Sequence, residues 1–383
     1  ILLYEATTRV PLLIHTPGQT EAVRHGRPVG LVDLAPTLRD LLGITTAEDG
    51  VSLMPTLRGK DPTTADRIVY MESLEGYLQH GWAPLFAVVH GSSKYIESPR
   101  PELYDLASDP NELRDLASVR PETAVDLSRR LAEIRPDDES FEGEAIALSA
   151  DEEAALLALG YVAGSPGEAA GTRRNPVDAI HLAPIHRQAL EAKADGDLKR
   201  AAELFEIELA EDPSSPVLLW YLGNCVVETD PKRAEASFRR AMELRPGFEA
   251  PYIDLAELLI QNGRAPAAAS VASEGIRRTF DAGGRLHYLR AASAALTGAD
   301  INGIMSDLGV SIERASRPGP AYRLRAAVRL QRLDDVEGAL ADIESYAEWS
   351  TPGELARLAD DRRFKRLHGR PAFAALVTTK PAE

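Results

Sequence analysis

Two stretches near the middle of the chain repeat each other and limit what that half can become. Ala201, Phe205, Glu208 and Pro213 are followed by Ala234, Phe238, Ala241 and Pro246, with the same gaps of four, three and five residues and an offset of 33. On a helix, residues four and seven apart share a face. A small residue, an aromatic one turn on, a second close-packing position and a terminating proline describe the second helix of a helix-turn-helix unit. One such unit cannot bury its own apolar face, so units at this period must stack. What precedes the tandem follows another pattern, and the chain divides there.

A length of 383 residues exceeds what one core usually organises and implies two domains. With 44% hydrophobic and 27% charged residues the composition is that of globular domains. A net charge of −16 argues against a nucleic-acid binder, whose phosphate contacts need a basic face. The single cysteine, Cys225, rules out an internal disulfide and a multi-cysteine metal site; inside a helical repeat it reads as a small buried thiol. No apolar run approaches the ~18 residues that a membrane span requires. The chain opens on Ile1-Leu-Leu-Tyr-Glu, neither an initiator methionine nor a signal peptide. The expectation is a fragment whose N-terminal portion is missing.

In the leading part, Val10 to His15 reads as a short buried strand ended by the Pro17-Gly18 turn. Asp33 to Gly43 reads as a helix, with Asp33 as N-cap, Pro36 in the first turn, Leu38, Leu41 and Leu42 on one face and Gly43 as the stop. Asp40 falls on its solvated face. Arg67 to Ser73 is a further strand, and Leu85–His90 with Lys94–Glu97 form a hairpin about Gly91-Ser92-Ser93. Glu102 to Asp115 reads as a closing, turn-rich segment, and Pro121 to Ile134 as an amphipathic helix with Leu127, Leu131 and Ile134 on one side. The result is a small α+β piece.

These residues carry a resemblance. Leu3-Tyr4-Glu5, Arg9-Val10-Pro11-Leu12, Pro17-Gly18, the run Val32 to Leu38, Asp49 to Leu53, Lys94-Tyr95-Ile96, and Glu102 to Leu106 with Asp109-Pro110 occur in one order. About residues 1–135 resemble the C-terminal portion of a sulfatase, in the alkaline-phosphatase-like superfamily. The resemblance implies hydrolysis of sulfate esters by an intact parent, with a formylglycine nucleophile made from a Cys/Ser-x-Pro-x-Arg motif and a divalent cation, usually calcium. Cys225 lacks that motif, and the family's Asp-Asn or Asp-His metal pair and His-Gly segment would lie before Ile1. The covered chain is therefore expected to hold no catalytic residue and no metal ligand, to bind neither cofactor, and to be inactive alone. The resemblance also implies an exported, periplasmic parent. A phosphodiester or phosphomonoester hydrolase of the same superfamily, with a Thr or Ser nucleophile and two metals, is the alternative enzyme. A non-catalytic scaffold with a vestigial remnant is the alternative of another class.

Four residues are candidates for a substrate rim. Glu72, His80 and Trp82 lie in a loop that faces the cavity in similar sulfatases. His80 could hydrogen-bond a sulfate or leaving-group oxygen, and Trp82 could stack on a ring; the competing reading is that both pack on the sheet. Arg9 could bind an anion or form a structural ion pair. Lys94 reads as a hairpin residue rather than a sulfate contact. Asp109-Pro110-Asn111-Glu112 invites a calcium loop but lacks the central Gly and distal Glu of that pattern, so it reads as a turn.

The domain expectation is 1–135 for the sulfatase part, 136–180 for a connector and 181–383 for repeats. The connector is acidic at Pro136 to Glu144, has a short helix at Ser149–Leu159, and then a Gly-rich stretch at 163–171. The tandem is similar to tetratricopeptide repeats. Leu219, Leu222 and Gly223 belong to one first helix, Leu255, Ala256 and Leu259 to the next, and Ala268, Ala272 and Gly275 lie 34 residues beyond the second copy of the motif. After Gly283 the period blurs, although helices over 287–296, 301–315, 321–330 and 335–349 and a capping tail from Pro352 are expected. Ala339, Ile343 and Tyr346 keep the second-helix spacing. The fold class is thus an α+β fragment of a sulfatase domain followed by an all-α solenoid of tetratricopeptide type. The resemblance implies a protein or peptide partner on the concave surface. Arg239, Arg240 and Arg245 could form a basic patch or a solvated helix face.

Overall fold

The computed structural model describes residues 2–15, 24–26, 28–44, 49–59, 67–135, 173–281, 283–298 and 300–378. The Pro17-Gly18 turn and the connector through residue 172, with its helix at 149–159, lie outside them. The described residues form two compact units, 2–135 with 173–181, and 182–378.

The first unit contains α1 (Glu5–Thr8), α2 (Leu34–Leu42), α3 (Met54–Leu57), β1 (Ile68–Ser73), α4 (Glu75–His80), β2 (Leu85–His90), β3 (Ser93–Glu97), β4 (Glu102–Asp105), α5 (Pro121–Ile134) and α6 (Pro176–Ala179). The strands make one antiparallel sheet in the order β1-β2-β3-β4. In β2 the residues Leu85 to Val89 are all buried, because both faces of the strand are covered. Leu3 packs with Leu85, Ala87, Ile96 and Tyr104 on one face. Helix α5 lies against β2 and β3 with Leu127 and Leu131 buried, and the Arg135 guanidinium sits 4.9 Å over the Phe86 ring.

Four local expectations need correction. Val10 to His15 is not a strand: no strand lies beside it among the described residues, and Val10 and Leu13 are exposed. Glu102–Asp105, read as turn, pairs with β3 as the fourth strand. Ile134, at the frayed end of α5, is exposed. Asp33 holds the N-cap position of α2, but its side chain makes no cap bond to that helix: it is fully buried, Oδ2 accepts from Gly30 N at 2.8 Å, Oδ1 accepts from Val51 N at 2.9 Å, and Oδ1 is paired with Arg67. Helix α2 itself stands as expected, closed by Gly43 at φ 69°, where a side chain would be strained.

The last part of the expected connector belongs structurally to this unit. Ala83 N donates to Arg174 O at 2.9 Å, Arg100 pairs with Asp178 at 2.9 Å, and the Arg173 guanidinium lies 4.6 Å over Tyr77.

The second unit is a stack of helix pairs: α7 (Ala183–Ala194) and α8 (Leu198–Glu211), α9 (Pro216–Val226) and α10 (Pro231–Leu244), α11 (Glu249–Gln261) and α12 (Ala265–Arg278), α13 (Arg285–Thr297) and α14 (Ile301–Arg314), α15 (Gly319–Val328) and α16 (Val336–Ala347). A π-helical turn at Arg329–Leu333 follows α15. Helices α17 (Pro352–Asp360) and α18 (Pro371–Val377) close the end around Leu358, Phe364, Leu367 and Phe373. Aspartate and serine side chains start α8, α9, α10, α14 and α16 by accepting backbone N–H bonds.

Every second helix buries one triad: Ala201/Phe205/Glu208, Ala234/Phe238/Ala241, Ala268/Ala272/Gly275, Ile304/Leu308/Ser311 and Ala339/Ile343/Tyr346. The fourth set shows that the repeat does not lapse after Gly283; it is offset by 36 residues instead of 34. Gly223 keeps the Phe site open, since a Cβ there would lie 2.5 Å from the Phe238 ring. In the last two pairs, an arginine on the first helix meets an aspartate on the second. Arg290 Nη2 is 2.6 Å from Asp307, and Arg325 Nη2 is 2.7 Å from Asp342, which also receives Arg329 at 3.1 Å. Among the described residues no helix is long and apolar enough to cross a membrane.

Candidate functional site

Arg9 follows α1 and lines a cleft of about 390 Å³ with Tyr4, Glu5, Ala6, Pro110, Asn111 and Glu112. The cleft is built from charge buried beneath it. Lys94 is fully buried on β3, with Nζ 3.0 Å from Glu5 Oε1 and 2.9 Å from Glu112 Oε1. Glu112 adopts φ 54°, a conformation rare for a residue with a side chain, and this turn returns its carboxylate to Lys94 and to the Glu5 N–H. Glu102 anchors the same wall by accepting from Tyr4 OH at 2.7 Å and Tyr104 OH at 2.6 Å; burial raises both phenols. Arg9 is exposed; its N–H donates to Glu5 O at 3.0 Å, and its guanidinium has no hydrogen-bond or ion-pair partner among the described residues.

The other three rim candidates do not line this cleft. Glu72 is exposed on β1 and accepts from Tyr70 OH at 2.6 Å. His80, at the end of α4, and Trp82 are both buried and stack on each other, with ring centroids 4.1 Å apart and planes at 14°. Gly76 admits the Trp82 ring, since a Cβ there would lie 3.0 Å from Cε3. The structure therefore brings His80 and Trp82 together and leaves Arg9 and Glu72 on separate elements.

Several acidic groups of this unit are taken by protein donors. Asp109 accepts Leu113 N at 3.1 Å and Arg114 N at 2.8 Å, as a turn does. Asp33 is held by Gly30, Val51 and Arg67, and Glu5 and Glu112 by Lys94. These carboxylates do not fit a divalent ion, which needs several oxygens free to converge.

In the helical array the arginine patch dissolves into local pairs. Arg239 pairs with Glu235 and Arg240 with Glu243, each at 2.9 Å, while Arg245 is buried with its guanidinium 4.3 Å over Phe248. Cys225 is buried, and burial pushes its thiol up to about 11, so it stays protonated and inert at neutral pH. His186 and Glu208 form a buried pair, Nδ1 to Oε2 3.1 Å. In the later repeats the Glu208 position holds Ala, Gly, Ser or Tyr.

One property of the first unit decides how these fragments of a site are to be taken. Of the twenty large apolar side chains left exposed among the described residues, eleven lie between Val10 and Val51. Helix α2 exposes Leu38, Leu41 and Leu42, the face that its sequence predicts will be buried. A scatter of exposed leucines is ordinary; this concentration is not.

Comparison with known proteins agrees. Residues 1–137 match the family of N-sulphoglucosamine sulphohydrolase, C-terminal, and residues 228–292 match the tetratricopeptide repeat. The leading segment is thus similar to sulfatase C-terminal sequence. Choline-sulfatase of Rhizobium meliloti (strain 1021) is 38% identical over 121 residues, which is 30% of this chain and 22% of that protein. Arylsulfatase K of Bos taurus is 31% identical over 152 residues, 34% of this chain and 26% of that protein. The chain thus spans about a quarter of the length of these relatives. Among solved structures, a thermophilic TPR protein of Thermus thermophilus, TTC0263, is 19% identical, with a TM-score of 0.38 over 51% of this chain and 98% of that one. The repeat assignment rests on the helix pairs and the family match, not on that superposition.

Proposed function

We propose that this chain is the trailing part of a sulfuric ester hydrolase, joined to a helical array that holds a protein or peptide. The observation that carries the reading is the match of residues 1–137 to sulfatases of which the chain spans about a quarter. The bare apolar stretch from Val10 to Val51 supports it, as the surface on which the remainder of a catalytic domain packs. We assign the formylglycine nucleophile and the divalent cation, calcium by the family's habit, to that remainder. When bound, the cation would neutralise charge on the sulfate oxygens while the hydrated aldehyde attacks.

The residues in hand have supporting roles. Arg9 lines the cleft and its guanidinium has no partner among the described residues, which supports it, of the four rim candidates, as the one to meet an anion. Lys94 with Glu5 and Glu112 fixes the backbone from which Arg9 projects. His80 and Trp82 act on the substrate side only by stiffening the α4 turn that carries them. Glu72 meets substrate only if it releases Tyr70.

The purified chain should release no nitrophenol from an aryl sulfate such as nitrophenyl sulfate, with calcium present or absent. Turnover that survives removal of a trace contaminating sulfatase would refute the division of labour proposed here. The partner reading is tested separately, by whether the array retains one defined protein from a lysate and loses it when the array's first helices are altered.

A further inference from the structure

The first helices of the array carry a column of equivalent residues, His186, Trp220, Asp254, Arg290 and Arg325, at offsets of 34, 34, 36 and 35. Helix α9 touches α11, α11 touches α13 and α13 touches α15, and the second helices approach one another less closely. The first helices therefore line the inner side of the curve, and this column runs along it.

Three of its charged or titratable members are matched within their own repeat: His186 by Glu208, Arg290 by Asp307 and Arg325 by Asp342. Asp254 is not. Its Oδ2 accepts Trp220 Nε1 at 2.5 Å and Asn224 Nδ2 at 3.2 Å, both uncharged donors from the preceding first helix. Its Oδ1 accepts no hydrogen bond among the described residues, and no cation there forms an ion pair with it. Of the nearby charges, Glu257 pairs with Arg285 at 2.6 Å, and Lys193, whose Nζ sits 5.8 Å over the Tyr221 ring, acts on the carboxylate through its charge without forming an ion pair. Burial, with a smaller push from the Glu257 charge, outweighs the Trp220 and Asn224 hydrogen bonds and the Lys193 charge and raises the Asp254 carboxyl to about 6. A largely desolvated carboxylate held in place by neutral donors, with no ion-pair partner among the described residues, is a costly arrangement for stability alone.

We propose that Asp254 is the receptor for the ammonium group of a lysine side chain on an extended partner segment lying along the inner face. This rests on the reading of the array as a peptide-binding surface. Charge favours a basic guest: across residues 182–278, Asp and Glu number 16 against 12 Lys and Arg. Geometry favours lysine over arginine. Oδ2 already holds two donors, so only Oδ1 is open, which suits a compact ammonium; a guanidinium fork seeks both oxygens.

The test uses the full chain and three blocked tripeptides, acetyl-Gly-X-Gly-amide with X lysine, norleucine or arginine. The readout is the Trp220 indole N–H resonance, assigned with Trp220→Phe. The lysine peptide should shift it saturably and bind about tenfold tighter than the norleucine peptide. Asp254→Asn, which keeps an acceptor for Trp220 and Asn224, should remove the preference, as should lowering the pH below about 6. Equal binding of all three peptides, or an unchanged preference in Asp254→Asn, overturns the assignment and leaves the array reading standing. No shift with any peptide counts against both.

Discussion

Helix α2 of the first unit and helix α10 of the array are amphipathic in the same way, yet one wears its apolar face outside and the other inside. Leu38, Leu41 and Leu42 are exposed on α2, whereas Ala234, Phe238 and Ala241 on α10 are buried between their own and neighbouring first helices. The difference lies in where the cover comes from. A repeat is covered by the next copy of itself, a few dozen residues along. The apolar face of α2 has no such copy to cover it among the described residues, and periodicity records only that a cover is required.

The strongest way to break the comparison is to attack a triad. Phe238→Ala should cost about 3–5 kcal/mol in chemical unfolding followed by helical circular dichroism, because the ring is fully buried and its pocket is shaped by Gly223. A loss below about 1 kcal/mol would mean that the pairs do not act as one stack. Next in size is Asp342→Ala, at about 3 kcal/mol. It strands Arg325 and Arg329, whose guanidinium groups converge on one buried carboxylate. Asp307→Ala should fall short of it, since Arg290 is more exposed and loses fewer bonds.

Those arginine pairs also show what the sequence did and did not disclose. The tandem at Ala201 and Ala234 was legible because an aromatic and a proline recur with it. Ile304, Leu308 and Ser311 keep the same spacing without either marker, and two extra residues move the period from 34 to 36. The recurrence of Arg290 and Asp307 at Arg325 and Asp342, both 35 residues on, was the available signal. In the first unit the hairpin was readable from its turn, but Val10 to His15 was not. Its apolar residues imply a strand, and a strand exists only where another lies beside it. Among the site candidates, residue type gave no hint that His80 and Trp82 stack on each other, nor that Asp254 would be held by neutral donors with no ion pair among the described residues.

Asp254→Asn should stabilise the chain, by about 2 kcal/mol at pH 7 after allowance for partial exposure. The carboxyl rises from 3.8 to about 6 on folding, so the folded state binds the proton more tightly than the unfolded one. Its contribution is then fully favourable below about pH 4 and is lost as pH rises through about 6. The Asn variant should lack that slope in unfolding free energies measured between pH 4 and 7. An unchanged slope would assign it to other groups.

The smallest effect separates the two helices most sharply. Leu38→Gln with Leu42→Gln should change the stability of this chain by no more than about 0.5 kcal/mol, because neither side chain is covered and glutamine is a good helix former. The same pair, placed in a longer chain that includes an upstream sulfatase portion, should lower its stability by several times that amount, since each leucine then loses a buried environment. Solubility should move the other way, with the double variant of the present chain staying monomeric at concentrations where the parent associates through its bare face. If the two glutamines destabilise the present chain as much as a triad substitution does, α2 is already covered here, and the first unit is as self-sufficient as the array.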